Sequence, residues 1–471
     1  MSKEFDVIVI GAGPAGEVLA GRIGERGAKN VAIVERELVG GECSYFACMP
    51  SKALLRASEV LREAARVPGA AEAVTGEVDV AAVLKRRDAI VGGLRDDHQL
   101  PWLERRNVEL IRGHARLEGE RRVRVGDDLL LAREAVVIAV GTSALMPPIP
   151  GLAEAGAWSN RELATADEVP EHLLVVGGGV VGVEMAQAWS ALGSRVTLIE
   201  AADQLLPREE PFAGEELRQA LEREGIDIRT GTLATAASRD GGEITVSLDD
   251  GETVTGDRLL VAIGRAPLTR DLGLETVGLE SGRYIDVDDQ MRVPGLSWLY
   301  AVGDVNGRSL LTHSGKYQAR LAADHIDGIP VAAIADGPAA PRVIFTDPQV
   351  AAVGLTLVGA LREGIEAEAI DLSTSATAGA AFHGRGARGT TRFVVDAERE
   401  IVVGATFVGP QVADLLHAAT IAIVGEVPIS ALAHAVAPFP TRSELWLKFI
   451  EAYEARRGSV AHRSRKLAVA A

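Results

Sequence analysis

Two cysteines, the only ones among 471 residues, lie close together near the amino terminus. Cys43 and Cys48 are separated by Ser-Tyr-Phe-Ala, and two thiols this close in a chain without a secretion signal are typical of a redox pair or of half a metal site. Zinc would need further ligands, and the first histidine along the chain is His98. We therefore predict a redox-active pair that can close on one helix turn, and no metal site.

A glycine-rich turn precedes the cysteines and follows a short apolar strand. Gly11, Gly13 and Gly16 have the spacing that lets a strand-to-helix turn approach a pyrophosphate, and the next strand ends on Glu35, where a carboxylate can accept from ribose hydroxyls. This combination of strand, turn, helix and acid predicts a dinucleotide-binding unit.

The same pattern recurs beyond the first third of the chain, with Gly177, Gly179 and Gly182 followed by a strand that ends on Glu200. Two dinucleotide sites are therefore implied. A carboxylate at position 200 accepts from a free 2′-hydroxyl and repels a 2′-phosphate, so the sequence favours NADH over NADPH.

Charge and hydropathy exclude several classes of partner. Asp and Glu number 66 against 49 Lys and Arg, which gives a net charge of −17 that repels nucleic acid and anionic membranes. Charges or glycines interrupt every apolar run before it could span a bilayer. We predict no nucleic-acid partner, no membrane segment and, because the first residues do not resemble a signal peptide, a cytoplasmic location.

Further motifs follow the cysteines in a fixed order, and together they resemble the pyridine nucleotide-disulfide oxidoreductases, flavoproteins that include dihydrolipoamide dehydrogenase, glutathione reductase and mercuric reductase. The resemblance spans nearly the whole chain. The motifs that carry it, besides the two glycine turns, are Cys43 to Cys48 with Pro50-Ser51-Lys52, Gly141-Thr142, Glu184, Gly264-Arg265, Gly303-Asp304 and residues 341–348.

The resemblance implies an α/β fold with two Rossmann-like dinucleotide-binding domains, for FAD and NAD, and a C-terminal α+β dimerisation domain. We predict that residues 1–150 and 271–338 form the FAD-binding domain, residues 151–270 the NAD-binding domain and residues 339–471 the dimerisation domain. The basic stretch 456–466 is predicted to fray.

The resemblance also assigns roles to the reactive residues. It implies that Cys43 is the outer, substrate-facing thiol, that Cys48 is the inner thiol against the flavin, and that Lys52 lies beside the reactive ring nitrogen, paired with Glu184. Such a cation should lower the pKa of the neighbouring thiol. The residues predicted to bind FAD or NADH are Gly11, Gly13, Gly16, Glu35, Gly41, Lys52, Gly141, Thr142, Gly177, Gly179, Gly182, Glu200, Gly264, Arg265, Gly303 and Asp304.

One motif departs from the family. Members that reduce disulfides carry a His-Pro-Thr-x-Ser-Glu segment, supplied by the partner subunit of a homodimer, whose histidine is the acid/base; here the segment begins with Phe439. Glu444 keeps the family's catalytic acid but, without its histidine, is better suited to a structural role at the subunit interface. His434 and His313 are candidates for a substitute and a cofactor contact, respectively, although packing or surface roles are simpler explanations.

The acceptor of the electrons therefore stays open. The first hypothesis is a disulfide substrate, as for dihydrolipoamide dehydrogenase; the second is a small electrophile such as a quinone or an oxidant, which needs less help from a proton donor. Transfer of mercuric ion is disfavoured because mercuric reductase uses further cysteines that this chain lacks. A non-catalytic redox sensor is a third hypothesis. Tyr45 and Phe46 could cover the approach to Cys43 or pack beneath its loop.

Overall fold

Strands and helices alternate along most of the chain in a computed structural model that describes residues 2–337 and 340–469. The strands, in chain order, are β1 (Ser2–Ile10), β2 (Val31–Glu35), β3 (Val108–Arg112), β4 (Ala115–Leu117), β5 (Arg122–Val125), β6 (Asp128–Ile138), β7 (Thr142–Ala144), β8 (His172–Val176), β9 (Arg195–Ile199), β10 (Asp227–Arg229), β11 (Ala234–Asp240), β12 (Glu243–Leu248), β13 (Thr253–Gly256), β14 (Arg258–Val261), β15 (Arg265–Pro267), β16 (Arg292–Val293), β17 (Leu296–Ala301), β18 (Arg342–Ile344), β19 (Gln349–Gly354), β20 (Ala367–Ser373), β21 (Thr390–Asp396) and β22 (Ile401–Gly409).

The helices lie between these strands and at the end of the chain. They are α1 (Pro14–Glu25), α2 (Gly41–Tyr45), α3 (Cys48–Arg66), α4 (Val80–Ile90), α5 (Leu100–Glu104), α6 (Asn160–Thr165), α7 (Val180–Ala191), α8 (Pro211–Arg223), α9 (Thr312–Ile326), α10 (Leu357–Arg362), α11 (Leu416–Val424), α12 (Ile429–Leu432) and α13 (Glu444–Val469).

The first sheet contains eight strands, with the order β16-β17-β6-β1-β2-β3 and β4 and β5 attached beside β6. Strands β17, β6, β1, β2 and β3 run parallel. Parallel sheets are covered on both faces, which is why residues 7–10 of β1 and 31–34 of β2 are all apolar and buried. Strand β17 joins the sheet beside β6 although some 150 residues separate them in sequence. The chain thus returns to the first sheet after the second glycine unit, as expected if the first domain is formed by two separate stretches of the chain. The limits of the predicted domains stay a prediction.

The second sheet is built by the second glycine unit, with four parallel strands in the order β10-β9-β8-β14. Helix α7 packs on it and buries Trp189 completely. A three-stranded antiparallel sheet, β11-β12-β13, lies between β10 and β14 in sequence. The short ribbon of β7 and β15 pairs residues from the first and second units, so it brings Thr142 and Arg265 side by side.

The C-terminal part forms an antiparallel sheet in the order β18-β19-β22-β21-β20. Helix α13 packs an aromatic side chain, Phe449, against Phe393 of β21 at a ring distance of 4.4 Å, and Phe407 of β22 meets the same ring edge-on. Two parallel α/β units and an α+β unit are thus present, and the predicted fold class is confirmed.

Two local predictions are wrong. Cys43 and Cys48 do not share a helix turn, because α2 ends at Tyr45 and Ala47, with φ −133° and ψ −94°, leaves the helical region before α3 begins at Cys48. The basic stretch 456–466 does not fray, because α13 continues through it to Val469.

Gly182 offers a test of this packing that does not depend on any ligand. A Cβ at this position would overlap the carbonyl oxygen of Gly177, whereas a Cβ at Gly179 would meet no heavy atom within 4 Å. Gly182→Ala is therefore expected to lower the free energy of unfolding of the second unit by about 1–3 kcal/mol, read as an earlier thermal transition. Gly179→Ala is the matched control and should melt as the wild type does but bind NADH more weakly, since the methyl group fills the space in front of the turn. Equal melting of Gly182→Ala and the wild type would contradict the packing.

Candidate active site

The segment that carries Cys43 and Cys48, the redox loop, is shaped by two adjacent glycines that precede Cys43. Gly40 and Gly41 have φ values of 110° and 60°, a region that residues with a Cβ avoid. A Cβ on Gly41 would also lie 2.8 Å from the Cα of Gly13. The loop that carries Cys43 is therefore packed directly on the first glycine turn, so two of the predicted motifs meet here.

The two thiols face one hydroxyl group. Thr312, the first residue of α9, places its Oγ1 3.0 Å from the Sγ of Cys43 and 3.5 Å from the Sγ of Cys48. Both cysteines are half-buried. Helix α9 thus completes a site whose other wall is the redox loop.

The electrostatic surroundings assign the negative charge to Cys48. A hydrogen bond from the Cys43 thiol, assisted by Thr312 and by the charge of Lys52, lowers the pKa of Cys48 to about 6 although burial opposes it. Cys48 is also the first residue of α3, where the helix dipole favours an anion. The same hydrogen bond and burial raise the pKa of Cys43. The two pKa shifts have opposite directions and favour the thiolate on Cys48 and the proton on Cys43.

The predicted pair of Lys52 and Glu184 is present. Lys52 lies one turn after Cys48 on α3 and donates from Nζ to Glu184 Oε2 at 2.6 Å. Glu184, on α7, is 2% exposed, and its other oxygen accepts from the backbone N–H of Phe345 at 2.9 Å. Lys52 Nζ also lies 5.0 Å from the centre of the Phe345 ring. One buried carboxylate therefore connects the first unit, the second unit and the C-terminal part.

The acids at the ends of β2 and β9 are each held by two backbone N–H groups. Glu35 accepts from the backbone N–H groups of Ala12 and Glu37, each at 2.7 Å. Glu200 accepts from Gly178 at 2.5 Å and from Ala202 at 2.7 Å. In both units the carboxylate is folded onto the glycine turn with lone pairs left for further donors, as binding of ribose hydroxyls requires.

A polar cluster joins three further predicted residues. Thr142 Oγ1 donates to Asp304 at 2.9 Å, and Arg265 donates to both the Oγ1 and the carbonyl oxygen of Thr142 at 2.7 Å. Burial raises the pKa of Asp304 against the effect of Thr142 and Arg265. A buried carboxylate that retains acceptor positions fits the hydroxyl groups of a polyol chain.

The glycines complete a cradle that fits a dinucleotide. A Cβ at Gly13 or Gly179 would meet nothing within 4 Å, so both turns leave space in front of their helix N-termini for a phosphate. Gly11, Gly141, Gly177, Gly264 and Gly303 all have positive φ, and Gly16 and Gly182 pack against the turns themselves. The donor and acceptor set therefore fits FAD in the first unit and a nicotinamide dinucleotide in the second.

The predicted residues of the C-terminal segment differ in their exposure. Phe439 is 78% exposed and His434 is exposed. His313, outside this segment, follows Thr312 on α9 and is exposed as well. Glu444 is buried and accepts from the backbone N–H of Thr441 at 2.9 Å and of Gly379 at 3.1 Å. The structure thus gives Glu444 a structural contact that fastens the loop around Gly379 to the start of α13.

Four residues near the thiols were missed by sequence reasoning, and the structure answers the question about the aromatic pair. Tyr45 is buried beneath the loop and donates to the carbonyl oxygen of Val39 at 3.0 Å, while Phe46 is half-buried against Arg161. The missed residues are Glu42, Asn160, Arg161 and Thr312. The capping box of Ser159 and Glu162 was a visible signal for the helix that carries two of them, but not for its contact with the redox loop.

None of the helices within residues 2–337 and 340–469 is long and apolar enough to cross a membrane. Across those same two ranges, no three His, Cys, Asp or Glu side chains are grouped so that they could hold a metal ion.

Removal of the Lys52 charge should change the titration of Cys48. Lys52→Met deletes a cation and leaves the buried Glu184 carboxylate without its charged partner, and both changes disfavour a nearby thiolate, so the pKa of Cys48 is expected to rise from about 6. The measurement is the pH dependence of the alkylation rate of Cys48 in the dithiol-reduced protein, followed by peptide mass spectrometry. Lys52→Arg keeps the charge and should titrate close to the wild type. An unchanged pKa in Lys52→Met would show that Lys52 does not act on the thiol.

Comparison with known proteins agrees with this geometry. The family model described as pyridine nucleotide-disulphide oxidoreductase matches residues 5–323, and the dimerisation-domain model of the same family matches residues 340–449. Dihydrolipoyl dehydrogenase from Thermus scotoductus is 35% identical over 465 residues, which cover 96% of this chain and 97% of that protein. Mercuric reductase from Acidithiobacillus ferrooxidans is 33% identical and aligns with 94% of this chain and 81% of that protein.

Solved structures share the fold. LpdA from Mycobacterium tuberculosis superposes with a TM-score of 0.82 at 26% identity, covering 96% of this chain and 99% of that one. The HOCl-induced flavoprotein disulfide reductase RclA from Escherichia coli superposes with a TM-score of 0.83 at 24% identity, covering 95% and 99%. The resemblance found in the sequence is thus confirmed: the chain is an enzyme of the pyridine nucleotide-disulphide oxidoreductase family, with that family's dimerisation domain at its C-terminal end.

Proposed function

We propose that this enzyme, as a homodimer with FAD, uses NADH to reduce the Cys43-Cys48 disulfide, and that the resulting dithiol reduces a low-molecular-weight disulfide. The observation that carries the proposal is the charge arrangement around the thiols. A thiolate at Cys48, a cation at Lys52 and a protonated Cys43 lie together at the meeting point of the three parts of the chain. Such an arrangement separates the roles of the two sulfurs before any acceptor binds.

FAD, when bound, supplies the two-electron exchange between NADH and the disulfide. The residues of the chain supply position and charge. Lys52, fixed by Glu184, places a positive charge beside Cys48 and stabilises negative charge there. Thr312 and the redox loop hold both sulfurs against one another.

Reduction of a disulfide acceptor by the dithiol balances as thiol-disulfide exchange. Cys43 passes its proton to the Cys48 thiolate along their hydrogen bond, and its sulfur attacks one sulfur of the acceptor, whose S–S bond breaks and releases a thiolate. That thiolate takes the proton from Cys48, and the Cys48 thiolate then attacks the Cys43 sulfur of the mixed disulfide and releases a second thiolate. The pair supplies two electrons and one proton and becomes a disulfide, and the second thiolate takes its proton from water.

The preference for NADH rests on Glu200. Its carboxylate is fixed on the second glycine turn by two backbone N–H groups, so a 2′-phosphate would meet a fixed negative charge, whereas a 2′-hydroxyl would find an acceptor. As predicted from the sequence, we also propose that the enzyme is cytoplasmic and has no nucleic-acid or membrane partner.

A second candidate acceptor is a small electrophile such as a quinone or an oxidant, and Phe439 is the observation that favours it. The phenyl ring cannot protonate a departing thiolate, a contribution typically worth about 10²- to 10⁴-fold in general acid catalysis. An acceptor that does not release a large thiolate avoids this loss. In this reading Phe439, which is exposed in one chain, is presented to the partner subunit of the dimer.

An anaerobic titration with NADH tests the electron path. Reduction by two electrons is expected to produce a long-wavelength absorbance band from a thiolate beside the flavin, because Cys48 holds the charge, and NADPH should produce it less readily. Cys48→Ser should abolish the band, whereas the matched variant Cys43→Ser should keep it and lose turnover. Simple bleaching of the flavin in the wild type, with no such band, would show that electrons bypass the cysteines.

Restoration of the histidine tests the acceptor. Phe439→His is expected to raise turnover of lipoamide or another small disulfide by about tenfold or more, with turnover of quinones and oxidants unchanged. Phe439→Leu serves as control for the loss of the ring. A wild-type enzyme that already reduces disulfides rapidly would exclude the small electrophile as the better acceptor, and an absence of disulfide turnover in both forms would exclude the disulfide.

A further inference from the structure

The start of α6 grips the redox loop, although these two segments are more than 100 residues apart in sequence. Glu42, the residue before Cys43, accepts at one carboxylate oxygen from Asn160 Nδ2 at 2.9 Å and at the other from Arg161 Nε at 2.7 Å. Both oxygens of an acid adjacent to the reactive thiol are therefore occupied by donors from α6. We call Asn160 and Arg161 the loop clamp.

Arg161 contacts the loop on both sides of Cys43. Its Nη1 donates to Glu37 at 2.9 Å, before the cysteine, and its guanidinium lies 4.2 Å from the centre of the Phe46 ring, after it. A planar guanidinium can bridge two carboxylates and stack on an aromatic face at once, which an ammonium group cannot do. The position thus uses properties specific to arginine.

Asn160 fixes the backbone of the loop as well. It is 7% exposed, and its Nδ2 also donates to the carbonyl oxygen of Phe46 at 2.8 Å. This carbonyl belongs to the break between α2 and α3, where the chain leaves the helical conformation. The break that separates the two cysteines is therefore held from outside the loop.

The clamp is built on a rigid base. Trp158, two residues before Asn160, bridges to β14 at the edge of the second sheet, where its N–H donates to Leu259 at 2.7 Å and its carbonyl accepts from Val261 at 2.9 Å. The capping box of Ser159 and Glu162 then starts the helix. The polar groups of the clamp are consequently fixed before they meet the loop.

Polar contacts, more than close packing, hold the loop on this side. A cavity of about 240 Å³ borders Glu42, Asn160 and Arg161. Arg265 Nη2 also lies 3.5 Å from Glu42 Oε1, and Gly41 and Tyr45 pack α2 on the first unit. The clamp therefore adds to this packing on the side that faces the cavity.

We propose that Asn160 and Arg161 are positioning residues for Cys43, which keep α2 in the orientation that holds its thiol against Thr312 and Cys48. The inference rests on the proposed role of Cys43 as the thiol that meets the acceptor. It adds a role for a segment of the second unit that no motif of the sequence assigns to the redox chemistry.

Alkylation of the individual cysteines tests the proposal on the dithiol-reduced enzyme with FAD bound. In Arg161→Ala, Cys43 is expected to react with iodoacetamide roughly 3- to 10-fold faster than in the wild type, as loss of one charged hydrogen bond allows, because the released thiol loses the neighbour that keeps it protonated. Cys48, which begins α3 and loses the hydrogen bond that lowers its pKa, should react no faster than in the wild type. In Arg161→Lys, the alkylation rate of Cys43 should lie between those of the wild type and Arg161→Ala. Arg283→Ala, which removes an exposed arginine elsewhere, should react as the wild type does.

Glu42→Gln supplies an independent variant and a coupling test. Alone, Glu42→Gln should accelerate the alkylation of Cys43 as Arg161→Ala does. In the double variant the rate should rise little further, since both substitutions remove the same contact. Equal acceleration of both cysteines with an earlier thermal transition would indicate general loosening and overturn the proposal, as would wild-type rates in both single variants. The thiolate band in the NADH titration of the same proteins reports on Cys48. The proposed role of Asn160 and Arg161 can therefore be disproved while the proposed electron path is retained.

Discussion

Within residues 2–337 and 340–469, Lys52 is the single charged partner of Glu184, and that constraint organises the site. The Glu184 carboxylate is almost completely removed from water, and its two oxygens are occupied by the ammonium group of Lys52 and the backbone N–H of Phe345. A buried charge without a partner is costly, so α3, α7 and the end of β18 must keep their relative positions to preserve these two contacts. Because Lys52 is one turn from Cys48, the same constraint fixes a positive charge beside the thiolate. The Lys52–Glu184 pair therefore both holds the three parts of the chain together and stabilises the thiolate.

The two glycine units repeat not only a motif but also its internal hydrogen bonds. In each, the acid that ends the second strand accepts from a backbone N–H of the glycine turn, Glu35 from Ala12 and Glu200 from Gly178. The contact orients the carboxylate before a ligand binds, which reduces the entropy that binding must overcome. In both turns a Cβ on the second glycine, Gly13 or Gly179, would meet no heavy atom within 4 Å, and the first turn is in addition contacted by the redox loop at Gly41.

Sequence reasoning found the parts of the site whose signal is local. Glycine spacing, the cysteine pair and the acids at strand ends are constraints within about twenty residues, and each is present where it was predicted. The break between Cys43 and Cys48 was not predicted, because the conformation of Ala47 is imposed by Asn160 holding the carbonyl of Phe46. Thr312 was missed for the same reason. Its hydroxyl meets the thiols from more than 260 residues away, and no local pattern of residue types specifies such a contact.

The same division between local and distant contacts bears on the acceptor. Phe439 lies in a segment anchored by Glu444, whose buried carboxylate holds Thr441 and Gly379, so the segment keeps its shape although its first side chain has lost the ability to transfer a proton. Under the proposed function, this anchored segment with an apolar tip places the Phe439 ring at the acceptor site of the dimer. Proton supply during exchange is then proposed to fall to the dithiol, whose two sulfurs both contact Thr312. This proposal favours acceptors whose leaving groups depart with little proton assistance.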